Sequence, residues 1–225
     1  MKKFYQKYGH IVPLLIYSAI YLGWFAILES MNVRNYTEIH MNIDDKIPFY
    51  EIFVVPYFLW FIYLAVVIVY FFFKDKEDYY KVCIFLATGM TVFLLISTFF
   101  PNCHHLRPRV IVKDNIFAEL VSVLYRIDTS TNLWPSIHVY NSIGAYFAVA
   151  HNKKLSQNKI INGSAFILSV SIILSTMFIK QHSMFDVITA FIMSAIVYVP
   201  VYRPDLLTKF KTGKIRQKLS FSSHK

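Results

Sequence analysis

The chain has 225 residues, 56% hydrophobic and only 16% charged, well below the quarter that an ordinary soluble domain carries, which excludes that class. The net charge of +10 does not mark a nucleic-acid binder, because Lys and Arg fall in short clusters between apolar runs and not along one polar face. The two cysteines, Cys83 and Cys103, form neither a disulfide framework nor a paired metal spacing.

Roughly 20 apolar residues in a helix cross a bilayer core. In chain order the runs that meet or approach this length are about 11–28, 52–73, 82–100, 137–150, 160–179 and 184–202. The first follows Met1-Lys2-Lys3, as a signal peptide would, but it is long for one and reaches Trp24 to Glu29 without a small-residue cleavage pattern, so it reads as a retained span. Cys83 sits inside the third run as a small core residue. The fourth run is the shortest and carries Asn141 and Ser142; it reaches spanning length only from near Pro135, tilted or screened by protein.

Sixteen Lys and Arg residues lie in the N-terminal segment, in loops 74–81 and 151–159 and in the tail from Arg203, against seven in loops 29–51, 101–135 and the turn near 180–183. Positive residues favour the cytoplasm, which places both termini inside and the other three connections outside; six spans satisfy that alternation. The expected fold is all-α: a single polytopic membrane domain over 1–225, built as a bundle of six transmembrane helices with both termini cytoplasmic. The basic end, 203–225, would touch anionic lipid head groups. Between the third and fourth runs, Ile116, Phe117, Leu120, Val121 and Leu124 recur at helical spacing behind Asp114 as N-cap. This predicts an amphipathic helix over 114–127 at the outer interface, either guiding a lipid tail or packing on the bundle.

Three polar clusters collect on the outward side, where ionisable residues at span ends are functional candidates. In Lys180-Gln181-His182-Ser183-Met184-Phe185-Asp186, His182 and Asp186 are four apart and share a helix face; a carboxylate beside an imidazole fixes its tautomer, though a helix-start histidine capped by its neighbour has the same spacing. In Pro135-Ser136-Ile137-His138, Ser136 and His138 fall in a first helical turn, where free N–H groups attract an anion; a plain helix start reads alike. In His104-His105-Leu106-Arg107-Pro108, Arg107 can grip a phosphate or simply snorkel to head groups, and no carboxylate or Cys stands at ligand spacing for a metal.

Taken in order, Arg107-Pro108, then Pro135-Ser136-x-His138, then His182-x-x-x-Asp186 resembles the superfamily of type 2 phosphatidic acid phosphatases over about residues 80–200. The resemblance implies His182 as the nucleophile that forms a phosphohistidine, Asp186 as its orienting group, His138 as the acid that protonates the leaving oxygen, and Arg107 with Ser136 holding phosphate oxygens, with no metal or other cofactor. The chain departs from that pattern at Phe100 and Thr176, where Lys and Arg are expected, and at Ile137, where Gly is expected; Lys180 and His104 are the expected substitutes for the missing cations, Lys180 one helical turn beyond Thr176. The implied function is hydrolysis of a lipid phosphate such as phosphatidic acid, phosphatidylglycerol phosphate or a polyprenyl diphosphate, at the outer face of a plasma membrane, expected to be a bacterial one. The rivals are a head-group transferase of the sphingolipid-synthase type and an inactive lipid-binding or transport protein of the same fold.

Overall fold

A computed structural model describes residues 8–31, 33, 35–111 and 114–207. The basic tail from Thr208 and the N-terminal lysines lie outside the described residues. In chain order the elements are α1 (Val12–Ser30), β1 (Thr37–Glu38), α2 (Val54–Lys74), α3 (Lys76–Phe99), β2 (Asn102–Cys103), α4 (Ile116–Ile127), α5 (Ile137–His151), α6 (Lys153–Gln157), α7 (Lys159–Phe178) and α8 (Met184–Tyr202), with short 3-10 turns ahead of α1 and α2. The architecture is all-α and polytopic: five helical stretches, Gly9–Ser30, Glu51–Lys74, Lys76–Phe99, Lys159–Phe178 and Met184–Tyr202, are long and apolar enough to cross a membrane. Their outer faces carry exposed Leu15, Ile16, Leu22, Phe61, Ile62 and Val66, a surface suited to lipid and not to water.

α5 is the exception and the centre. Its 15 residues rise about 22 Å, short of the roughly 30 Å hydrocarbon core. Ten of them are buried, from His138 to Val149, so protein and not lipid surrounds Asn141 and Ser142. The Ser142 hydroxyl donates to the His138 carbonyl, and the Ser142 carbonyl accepts from Ser169 of α7 at 3.0 Å. With its flanking residues the helix reaches from the head of α8 to the head of α3. At its start Ser136 N–H donates to the Asp186 carbonyl at the head of α8. At its far end Asn152 Nδ2 donates to Asp78 at the head of α3, and His151 meets the Tyr198 hydroxyl late in α8. α3 and α5 approach closely because each supplies a glycine: a Cβ on Gly89 would strike the Tyr140 ring, and one on Gly144 the Phe85 ring. Those rings stack with centroids 4.6 Å apart, and the Tyr140 hydroxyl donates to the Phe85 carbonyl.

Two boundaries differ from expectation. The segment 74–81 is not a loop: α2 and α3 are separated by Asp75 alone, whose carboxylate accepts from Glu77 and Asp78 N–H and starts α3 at Lys76. Glu77 and Asp78 in the first turn also suit the helix dipole. In α4 the N-cap is Asn115 and not Asp114, its side chain accepting from Phe117 and Ala118 N–H. The expected amphipathic face otherwise holds, with Val121 and Leu124 buried and Phe117 and Leu120 packed beside them, while Ile116 is exposed.

The connections at the head of α5 and α8 form a cover. β1 pairs in parallel with β2, Thr37 opposite Asn102. Thr37 and Ile39 N–H donate to the Pro101 and Cys103 carbonyls, and Tyr50 N–H to that of Phe178. The buried Asn102 carboxamide oxygen accepts from Leu133 and Trp134 N–H, drawing the segment before α5 onto the same cover.

Candidate functional site

The turn between α7 and α8 positions the nucleophile candidate. α7 ends at Phe178, and Gln181 N–H and Lys180 N–H return to the Thr176 and Met177 carbonyls, the pairing of a Schellman end. Its left-handed position is held by Lys180, at φ 54°, where glycine is usual. Lys180 is therefore not one helical turn along from Thr176. The chain reverses there, and the ammonium donates to the Asp44 carbonyl oxygen at 2.7 Å. Burial pulls the Lys180 pKa down while Asp44 and Asp45 hold it up.

His182 follows that reversal and is buried. Its Nδ1 lies 3.2 Å from Asp186 Oδ2, and the same oxygen accepts from Ser183 N–H at 3.0 Å. A carboxylate oxygen already accepting one N–H makes Nδ1 the protonated nitrogen, which leaves the Nε2 lone pair free. Burial, and after it the Arg107 charge, pulls the His182 pKa down to about 3, so the ring is neutral. Asp186 has a structural task as well: with Ser183 it forms a capping box that starts α8. Asp44, fully buried, reinforces that start, accepting from Met184 N–H on one oxygen and from the Ser183 hydroxyl on the other.

Opposite His182 stands His138, in the first turn of α5, with ring centroids 5.7 Å apart. His138 is held in an aromatic slot, stacked on Tyr57 at 4.5 Å and tilted against Trp60 at 4.4 Å. Its Nδ1 is buried and has no hydrogen-bond partner among the described residues. Ser136 caps α5, its hydroxyl oxygen accepting from Val139 N–H, which leaves the hydroxyl proton to donate.

Arg107 closes a third side. Nη1 donates to the Tyr125 and Asp128 carbonyls, and Nη2 to the Thr129 carbonyl and to Gln181 Oε1. The guanidinium stands 4.5 Å over the Tyr125 ring. Nε is buried without a partner among the described residues. Asp128, whose pKa burial raises, accepts from the Tyr57 hydroxyl at 3.0 Å, so the guanidinium and the slot around His138 share one support.

The structure thus gathers His182, Asp186, His138, Ser136 and Arg107 at one end of the bundle and gives the two expected substitute cations other work. Lys180 anchors the cover through Asp44. His104 has both ring nitrogens committed to backbone, Nε2 donating to the Gln181 carbonyl at 2.8 Å and Nδ1 accepting from Leu106 N–H. Burial takes its pKa down to about 4, so it is a neutral strut and not a cation. Gln181, which sequence reasoning passed over, is fully buried between His104 and Arg107, with Nε2 lacking a partner among the described residues. Tyr57 and Trp60 were hidden in a run read only for its hydropathy. Their spacing of three, continued by Tyr63, places aromatics on one helix face and was the available signal. Among the described residues no group of three or more His, Cys, Asp or Glu side chains could hold a metal ion. The chain matches no protein-family model, no curated protein and no solved structure.

Proposed function

We propose that this chain is a membrane phosphoryl-transfer enzyme of the type 2 phosphatidic acid phosphatase kind, which hydrolyses a lipid phosphate ester through a phosphohistidine at His182 and uses no metal. The observation that carries the proposal is the neutral His182, oriented by Asp186 and facing His138, amid buried donors that lack partners, Arg107 Nε and Gln181 Nε2. The Nε2 lone pair attacks phosphorus and forms the N–P bond as the P–O bond to the alcohol breaks. His138 acts as the imidazolium, its charge balanced by the bound phosphate: it gives a proton to the departing oxygen, then takes one from the water that displaces the phosphohistidine. Asp186 stabilises the imidazolium that forms, and the guanidinium of Arg107 stabilises charge on the phosphoryl oxygens.

The wider reading is a six-span bundle with both termini cytoplasmic, its site at the outer face of a plasma membrane and its substrate drawn from the bilayer. Support comes from the bias of Lys and Arg toward one side and from α5, which runs between the same two ends of the bundle as α3 and α8. Transfer to a lipid alcohol in place of water is a second reading, favoured by enclosure: Ser136 and Gln181 are fully shielded and His182 is 4% exposed.

The test is phosphate release by the detergent-purified chain and by His182→Ala, with chelator present, across a panel of lipid phosphates. Release by the wild type alone is expected. Equal release by both removes the phosphohistidine, and label appearing on a second lipid in place of free phosphate selects the transferase.

A further inference from the structure

We propose that the phosphate this site accepts carries a single charge, as in the phosphodiester of a membrane phospholipid, and not the double charge of a phosphomonoester. The inference rests on the reading of His182 as nucleophile and narrows its substrate class.

The ground is the charge inventory around His182. Arg107 is the cation whose charge reaches that imidazole. Four of its N–H groups are already given to the carbonyls of Tyr125, Asp128 and Thr129 and to Gln181 Oε1, so Nε is what remains for a ligand. Lys180 is directed to the Asp44 carbonyl, and His104 is neutral with both nitrogens bound. Thr176, whose carbonyl receives Gln181 and His182 N–H, turns its hydroxyl back to the Ile173 carbonyl and brings no charge.

The other donors are neutral. Gln181 is fully buried, and its Nε2 has no partner among the described residues. Ser136 keeps a hydroxyl proton free. Carboxylates, by contrast, are close: Asp186 touches His182, and its Oδ1 is buried without a partner among the described residues, while the Asp128 carboxylate, held by the Tyr57 hydroxyl, offsets the charge of Arg107. Arg107 and the proton that His138 gives to the departing alcohol, set against Asp186, leave one net positive charge, which matches a monoanion and falls short of a dianion. A singly charged diester needs only donors, and neutral Gln181 and Ser136 supply them. In the first step the N–P bond to His182 forms as one P–O ester bond breaks. The departing alcohol takes the His138 proton; in the second step water or an alcohol gives its proton to His138 and forms a P–O bond as the N–P bond to His182 breaks, and the second ester stays on phosphorus throughout.

The experiment compares kcat/KM of the purified full-length chain for phosphatidic acid and for phosphatidylglycerol with the same acyl chains, in mixed micelles with chelator. The diester is expected to exceed the monoester by about tenfold or more, and Gln181→Arg to shrink or reverse that ratio, by raising the monoester value while lowering that of the diester. A wild-type ratio at or below one overturns the inference while leaving the phosphohistidine reading intact. If neither lipid is turned over, that reading fails on activity, and binding decides the charge preference. Thermal stabilisation of wild type by dihexadecyl phosphate above that by hexadecyl phosphate supports the inference, and the reverse order overturns it; this arm also serves if Gln181→Arg does not fold.

Discussion

His104 makes acid stability a test of how the site is held. Its imidazole is 1% exposed, with Nε2 on the Gln181 carbonyl and Nδ1 receiving Leu106 N–H, an arrangement that requires the neutral ring. The folded pKa is about 4 against 6.5 for the free side chain. A histidine depressed on folding binds its proton more readily in the unfolded chain, so stability is full above pH 6.5 and falls as pH drops toward 4. At pH 5 the difference amounts to about 2 kcal/mol, and at pH 7.5 it nearly vanishes. For a chain of this size that is a loss in Tm of about 4–8 °C between the two pH values. His104→Gln keeps an N–H for the Gln181 carbonyl and does not titrate. The assay is thermal unfolding of wild type and His104→Gln in one detergent from pH 7.5 to 5, with the wild type expected to lose the additional 4–8 °C or so. Parallel pH slopes for the two proteins would refute the reasoning and mean that His104 is charged or solvated.

Gly144→Ala would set a Cβ 2.5 Å from Phe85 Cδ1, and Phe85 cannot swing aside because it is fully buried and stacked on Tyr140. The expected destabilisation is about 1–3 kcal/mol, read as a lower Tm; an unchanged Tm would mean that α3 and α5 are not in this close contact. Lys180→Met removes the ammonium from the Asp44 carbonyl while keeping the aliphatic stem. It should lower stability by about 1–3 kcal/mol and leave KM for a lipid phosphate within about twofold, whereas a tenfold rise in KM would return Lys180 to the substrate.

What the sequence made legible follows from the range of each force. Hydropathy acts over whole helices, so the five long apolar helices stand out from the apolar runs, whereas α5 is a short run that becomes a span only from near Pro135 and with protein around it. Helix ends are decided by single groups. Asp75, Glu77 and Asp78 spell a helix start, but the polar turn Lys76–Lys81 reads as a loop when only apolarity is followed. At the end of α7 no glycine marks the reversal, so helical periodicity carries on through Lys180 in the sequence, while the structure turns the chain there at a positive φ. The adjacent His104 and His105 look alike in sequence, yet one is sealed on backbone groups and the other is exposed beside Glu38. Burial separates them, and His104 is buried against Gln181 and Ser130, which are distant from it in sequence. The pair His182 and Asp186 was legible because its spacing is local, whereas the supports from Asp44, Tyr57, Asp128 and Gln181 are contacts between distant segments.

The helix starts themselves sort the two sides of the site. α5 and α8 begin at the same end of the bundle, and each directs the positive end of its backbone dipole there. The start of α8 is met by two carboxylates, Asp186 through the capping box and Asp44 from the cover, so its dipole is answered within the protein and serves to fix His182. The start of α5 is capped by Ser136, a neutral hydroxyl, so the positive end of that dipole is left unanswered by any charge among the cap contacts. An anion at this end of the bundle therefore gains from α5 and not from α8. On the proposed phosphoryl-transfer reading, a phosphate over Ser136 and beside His138 would meet the His182 lone pair, and the two helices would have complementary work: α8 fixes His182 and α5 receives the charge.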